Sequence, residues 1–127
     1  MANPAQTYAK NAQETGNLRE LEAQLLMRAA SRLQAVKDGE VTGNNNIISA
    51  VRYNRRLWLV FADALTKAEN QLPAEIKKNV TSLAMFVLNR SRTIETANEP
   101  NPDRLNVLIN INREIAAGLR TNAAVAA

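Results

Sequence analysis

Arg52, Tyr53, Asn54, Arg55, Arg56, Leu57 and Trp58 crowd three guanidinium groups and two aromatic rings into two turns of a helix. Guanidinium groups pair with carboxylates and phosphates, and Arg, Tyr and Trp recur at the energetic centres of protein interfaces. The block therefore fits two chemistries: recognition of a protein partner, or neutralising and stacking on RNA. Taken alone, Trp58 falls on the apolar stripe of its helix and suits a core, with the Arg side chains as its solvated flank. Tyr53 and Arg56 lie off that stripe and fit a contact surface or plain exterior equally well.

Reactive chemistry has little to work with. The chain contains no Cys and no His, which removes disulfides, Cys or His nucleophiles, imidazole acid–base steps and the usual zinc ligands. Glu20 and Glu22 stand two apart on a helix and do not face each other, and Asp63 and Glu69 make no convincing pair. Gly16, Gly39, Gly43 and Gly118 are scattered, so no loop cradles a phosphate. Asn79-Val80-Thr81 and Asn89-Arg90-Ser91 match the glycosylation pattern, which has no physical meaning without a secretory route. The expectation is a protein that is not an enzyme, with no cofactor, metal or small-molecule substrate.

The elements that position these groups follow from composition. Of 127 residues 46% are hydrophobic but only 4% aromatic, so a core must be aliphatic. Four Gly and four Pro leave room for long uninterrupted elements, and the abundant Ala, Leu, Arg, Gln and Glu favour helix. A net charge of +4 is a mild excess that suits solubility and would also assist an acidic or RNA partner. No apolar run is long enough to span a bilayer and residues 1–15 lack the apolar segment of a secretory signal, so a cytoplasmic protein without a membrane partner is expected.

Apolar spacing predicts four helices. The first covers 17–37, with Leu18, Leu21, Leu25, Ala29, Leu33 and Val36 as its stripe, Leu26 and Ala30 widening it, and Arg19, Glu22, Arg28 and Arg32 mostly facing elsewhere. Gly39 closes it. The second covers about 46–70 on Ile47, Val51, Trp58, Phe61 and Leu65, and is apolar over much of its girth. The third covers about 73–96 on Ile76, Val80, Leu83, Val87 and Ile94. The fourth covers about 102–120 on Leu105, Leu108, Ile109, Ile115 and Leu119. Short connections imply an all-α, four-helix antiparallel bundle. A loose or short-helical arm over 1–14 precedes a single domain over 15–121, and a frayed tail over 122–127 follows it. Leu26, Ile48, Val60, Met85, Phe86, Val107 and Ile111 exceed what a narrow stripe needs. Such surplus either broadens the core or forms a groove for a partner helix. The candidate partner-binding set is therefore Tyr53, Asn54, Arg55, Arg56, Trp58, Val60, Met85, Phe86, Val107 and Ile111.

Several blocks, in order, resemble the FlaF family of flagellar biosynthesis regulators from alphaproteobacteria. They are Leu18-Arg19-Glu20-Leu21-Glu22-Ala23 with Leu25, Leu26 and Ala29-Ala30-Ser31-Arg32-Leu33; Asn54-Arg55-Arg56-Leu57-Trp58 with Phe61 and Asp63; Asn70-Gln71-Leu72-Pro73 with Ser82-Leu83 and Val87; and Asn106 to Ile115 with Gly118-Leu119. The resemblance covers roughly residues 8–120, and the Gly39–Asn46 loop adds nothing to it. It implies a cytoplasmic protein needed for flagellin synthesis, export and filament assembly, working alongside the companion regulator FlbT. One mechanism is a flagellin-binding secretion chaperone that covers the amphipathic helices of monomeric flagellin. The alternative is control of flagellin translation, acting on mRNA or through FlbT.

Overall fold

The computed structural model describes residues 4–5, 18–41, 43–67, 73–98 and 101–126. Among these there are four α-helices and no strand: α1 (Leu18–Lys37), α2 (Asn44–Thr66), α3 (Ala74–Glu95) and α4 (Asn106–Ala126), with a 3-10 turn over Pro102–Leu105 leading into α4. The expected four-helix antiparallel bundle is what forms. The arm expected over 1–14 lies outside the described residues apart from Pro4 and Ala5, which are helical, with Pro4 buried. Asn17, the expected first residue of the first helix, and Asn70, Gln71 and Leu72 lie outside them as well.

Local chemistry sets the helix ends. After α1 the Gly39 N–H donates to Val36 O at 3.2 Å and the Glu40 N–H to Ala35 O at 3.0 Å. That pair of bonds needs a left-handed residue between them, and Gly39, at φ 80°, supplies it without steric cost. Pro73 precedes α3 with φ −54°, a value that feeds directly into a helix. Asn101 accepts the Asp103 N–H on its side chain at 3.0 Å and, with Pro102, starts the 3-10 turn. The expected boundaries shift by two to four residues at α2, whose first turn already begins at Asn44 and which ends at Thr66. Helix α4 continues to Ala126, beyond the expected end at Arg120.

Helix α1 packs most extensively on α4, α2 on α3, and α1 also on α2, while α3 and α4 approach each other less closely. The pairings are antiparallel. Arg120 meets Glu20 across α4 and α1, Arg32 lies over the Tyr53 ring at 4.3 Å between α1 and α2, and Glu95 of α3 meets Arg52 and Arg55 of α2. The core is aliphatic as composition requires: Leu21, Leu25, Leu26, Ala29, Ala30, Leu33, Val51, Leu57, Val80, Val87, Leu108, Ile109 and Leu119 are buried around Trp58 and Phe61. Those two rings meet edge to face at 5.3 Å. Leu26 and Ile111, counted as surplus from the sequence, belong to this core.

Inside the aliphatic core sits one polar cluster. The Asn112 carboxamide accepts the Trp58 Nε1–H at 2.8 Å and donates through Nδ2 to Leu26 O at 3.1 Å and to Asn54 Oδ1 at 2.7 Å. One buried side chain of α4 thereby bonds α1 and α2 together. Glu22 departs from expectation: it faces inward and its residue is 1% exposed, its carboxylate paired with Arg19 at 2.9 Å. Its spacing after Leu18 and before Leu25, Leu26 and Ala29 puts it on the core stripe, where a charge persists only with a partner.

Two outcomes follow. Asn112→Ala strands the indole N–H and Asn54 Oδ1 together and removes the second hydrogen bond of the Leu26 carbonyl, and urea unfolding should show a loss of about 2–4 kcal/mol. A loss below 1 kcal/mol would mean that water replaces the amide at little cost. Second, Arg120 donates hydrogen bonds to both oxygens of the exposed Glu20 carboxylate, which holds its carboxyl below the usual range against an opposing desolvation; the Arg120 charge and the Gln24 amide add to the lowering. The folded value lies below the unfolded one, so this pair stabilises the fold above the unfolded carboxyl range. The contribution disappears as pH falls through the lowered value. A carboxyl titration by NMR should find Glu20 below the ordinary glutamate range, and back in that range in Arg120→Gln.

Candidate functional site

The Arg-rich block of α2 divides by helix geometry into three environments. Asn54 and Trp58 point into the core and belong to the Asn112 cluster. Tyr53 turns toward α1, half-buried beneath the Arg32 guanidinium, and Val60, two turns on along the same side, is also half-buried. Arg52 and Arg55 turn toward α3 and both hold Glu95: Arg52 Nε lies 3.0 Å from Oε1, Arg55 Nε lies 3.0 Å from Oε2, and Arg55 Nη2 donates to Oε1 at 3.3 Å. Arg56 alone of the three Arg faces solvent with no ion pair among the described residues.

That arrangement changes what the block can do. A carboxylate shared by two guanidinium groups takes up much of the positive field that phosphates would need. The pair also clamps the C-terminal end of α3 to the middle of α2. At the other end of the same seam, Lys77 Nζ donates to Lys67 O at 2.9 Å. Between these ends α3 meets the core through Val80, Ala84, Val87, Ser91 and Ile94. Among the described residues Ser91 Oγ and Asn54 Nδ2 are buried without a hydrogen-bond partner. Each such group costs roughly 1–3 kcal/mol.

The other expected contact residues also part company. Val107 is half-buried against the core and Ile111 is buried. Met85 and Phe86 remain on the surface of α3, 58% and 38% exposed, with the Arg90 guanidinium 5.3 Å from the Phe86 ring centre. Sequence reasoning missed Leu59, which is 48% exposed. Its signal was present: it stands four residues after Arg55 and seven after Arg52, so it is an apolar residue on a charged stripe. It was hidden by its neighbours Leu57, Trp58, Val60 and Phe61, which make the whole stretch read as apolar. The buried pair Asn54 and Asn112 had a signal as well, since each occupies a stripe position between aliphatic residues.

Among the described residues no group of three or more His, Cys, Asp or Glu is placed to hold a metal ion. No described helix is long and apolar enough to cross a membrane. The α2–α3 layer carries the exposed apolar side chains Leu59, Met85 and Phe86 among basic ones.

The Glu95 clamp makes its own expected outcome. Glu95→Gln leaves the shape intact but weakens the attraction for Arg52 and Arg55. Chemical denaturation should show a loss of about 1 kcal/mol, diminishing in high salt. A variant as stable as the wild type at low salt would show that the clamp contributes no net stability.

The model of the family described as "Flagellar protein FlaF" matches residues 4–119, most of the chain. The match takes in α1, α2 and α3, the larger part of α4, and every residue of the Asn112 cluster and the Glu95 clamp. No curated protein and no solved structure matches the chain. With a family match over most of its length, the chain belongs to the FlaF family of flagellar proteins.

Proposed function

We propose that this protein is a flagellin-binding secretion chaperone and regulator, acting in the cytoplasm by covering amphipathic helices of monomeric flagellin. The supporting observation is the exposure of Leu59, Met85 and Phe86 on the α2–α3 layer of a protein belonging to a flagellar family. Unpolymerised flagellin must keep the apolar faces of its terminal helices from aggregating. A helical layer carrying its own exposed apolar side chains covers such a face by packing alongside it. Each 100 Å² of apolar surface so covered contributes about 2.5 kcal/mol before the cost of association.

Control of flagellin translation through direct mRNA contact draws less support. It relied on the Arg52, Arg55 and Arg56 block, and two of those three side chains are engaged with Glu95.

Isothermal calorimetry with monomeric, export-competent flagellin tests the proposal. One-to-one binding and co-elution on gel filtration are expected. The absence of both heat and co-elution would remove the chaperone reading. A steeply salt-dependent gel shift with the flagellin message, in its place, would favour the translational role.

A further inference from the structure

The helix-binding reading leaves open which face does the binding and what kind of helix it takes. The outer faces of α2 and α3 carry a pattern that answers both. On α2, Arg52, Arg56, Leu59 and Asp63 follow at intervals of four, three and four residues and share one face. On α3, Lys78, Ser82, Met85, Asn89 and Arg92 share another. All nine are exposed. The seam between the two helices is fixed at one end by the ion pairs of Glu95 with Arg52 and Arg55 and at the other by the Lys77 hydrogen bond to Lys67 O, so both faces border the same side of one antiparallel layer. In that register Leu59 and Met85 stand within about one helical turn of the same level.

The charges around this apolar pair are one-sided. Arg56, Lys78 and Arg92 form no ion pair among the described residues. Arg52 is half-exposed while holding Glu95. Asp63, the acidic side chain on the α2 face, is paired with Lys67 at 3.5 Å. An apolar centre with a basic rim is complementary to a helix that has an apolar stripe and carboxylates along its flanks. Two parallel-sided helices offer a groove in which a third helix packs at the usual interhelical spacing.

We infer that the outer α2–α3 face, centred on Leu59 and Met85 and rimmed by Arg56, Lys78 and Arg92, is the docking surface for an acidic amphipathic helix of a partner protein. This assignment deepens the proposed chaperone role and rests on it for the helical form of the partner.

The test uses the full chain and three probes: monomeric flagellin and two designed amphipathic peptides with the same Leu stripe, one flanked by Glu and the other by Lys. The wild type should bind the Glu peptide at least about tenfold more tightly than the Lys peptide. Leu59→Glu combined with Met85→Glu should weaken both flagellin and the Glu peptide by at least that factor. Arg56→Glu, Lys78→Glu and Arg92→Glu together should reverse the peptide preference. Circular dichroism and urea midpoints check that the variants fold, and NMR shift mapping of the Glu peptide on the wild type supplies a readout independent of them. Perturbations centred on Leu59 and Met85 are expected.

If flagellin binds the wild type and both variants alike, the face is wrong and the chaperone role stands. If flagellin does not bind but the Glu peptide does, with the expected losses, the chaperone role falls and the acidic-helix face stands. Equal binding of the two peptides, shifts mapping elsewhere, or loss in the charge-reversed variant of RNA or anionic-vesicle binding alone would overturn the inference.

Discussion

The buried carboxamide of Asn112 is the constraint around which the described fold is organised. It is a side chain of α4 that must find partners on two other helices, because burial denies it water. Aliphatic contacts are tolerant of sliding: a Leu stripe shifted by a turn still buries Leu. The bonds to Trp58, Asn54 and the Leu26 carbonyl are not tolerant. A shift of one turn in any of the three helices leaves donors and acceptors facing hydrocarbon, which costs more than the intact bonds contribute. The cluster therefore acts less as a source of stability than as a selector of one register among several that the apolar pattern would allow.

Helix α3 lies outside this arrangement. It is fastened by a stripe containing Ala84 and Ser91 and by charged groups at its two ends, and its closest packing is on α2 alone. The division separates a locked set of helices from one that is held along a single seam. Three helices are locked in register by the polar cluster, and the fourth, α3, adds an exposed outer face. Among the described residues the Met85, Lys78 and Arg92 side chains are exposed and make no hydrogen bond or ion pair.

Much of the architecture was legible because it follows from periodicity. The stripes expected for the first and fourth helices named the buried residues Leu21, Leu25, Leu33, Leu105, Leu108, Ile109 and Leu119, and Gly39 marked the end of α1 through the backbone conformation it alone adopts cheaply. The polar interior was harder to read. Asn54, Asn112 and Glu22 sit at stripe positions, but polarity argues for the surface, and only the matching of partners across helices shows that they turn inward. The Arg block failed to stay together for a related reason. Neighbours in sequence stand 100° apart on a helix, so residues 52–58 serve α1, α3 and the core at once. Leu59 was missed in the opposite way: its neighbours are core, so nothing in the apolar pattern set it apart.

Trp58 is the single tryptophan of the chain, and it lies at the polar cluster rather than on any outer face. The tryptophan fluorescence of the protein, excited apart from its two tyrosines, is thus a report from one address. A fully buried indole that donates to a carboxamide emits according to that pocket, and its emission moves toward the red once water reaches it. Contact on the outer layer leaves this signal in place, while separation of α2 from α4 changes it. The molecule thereby carries a built-in optical distinction between a partner that rests on its surface and one that pries its helices apart.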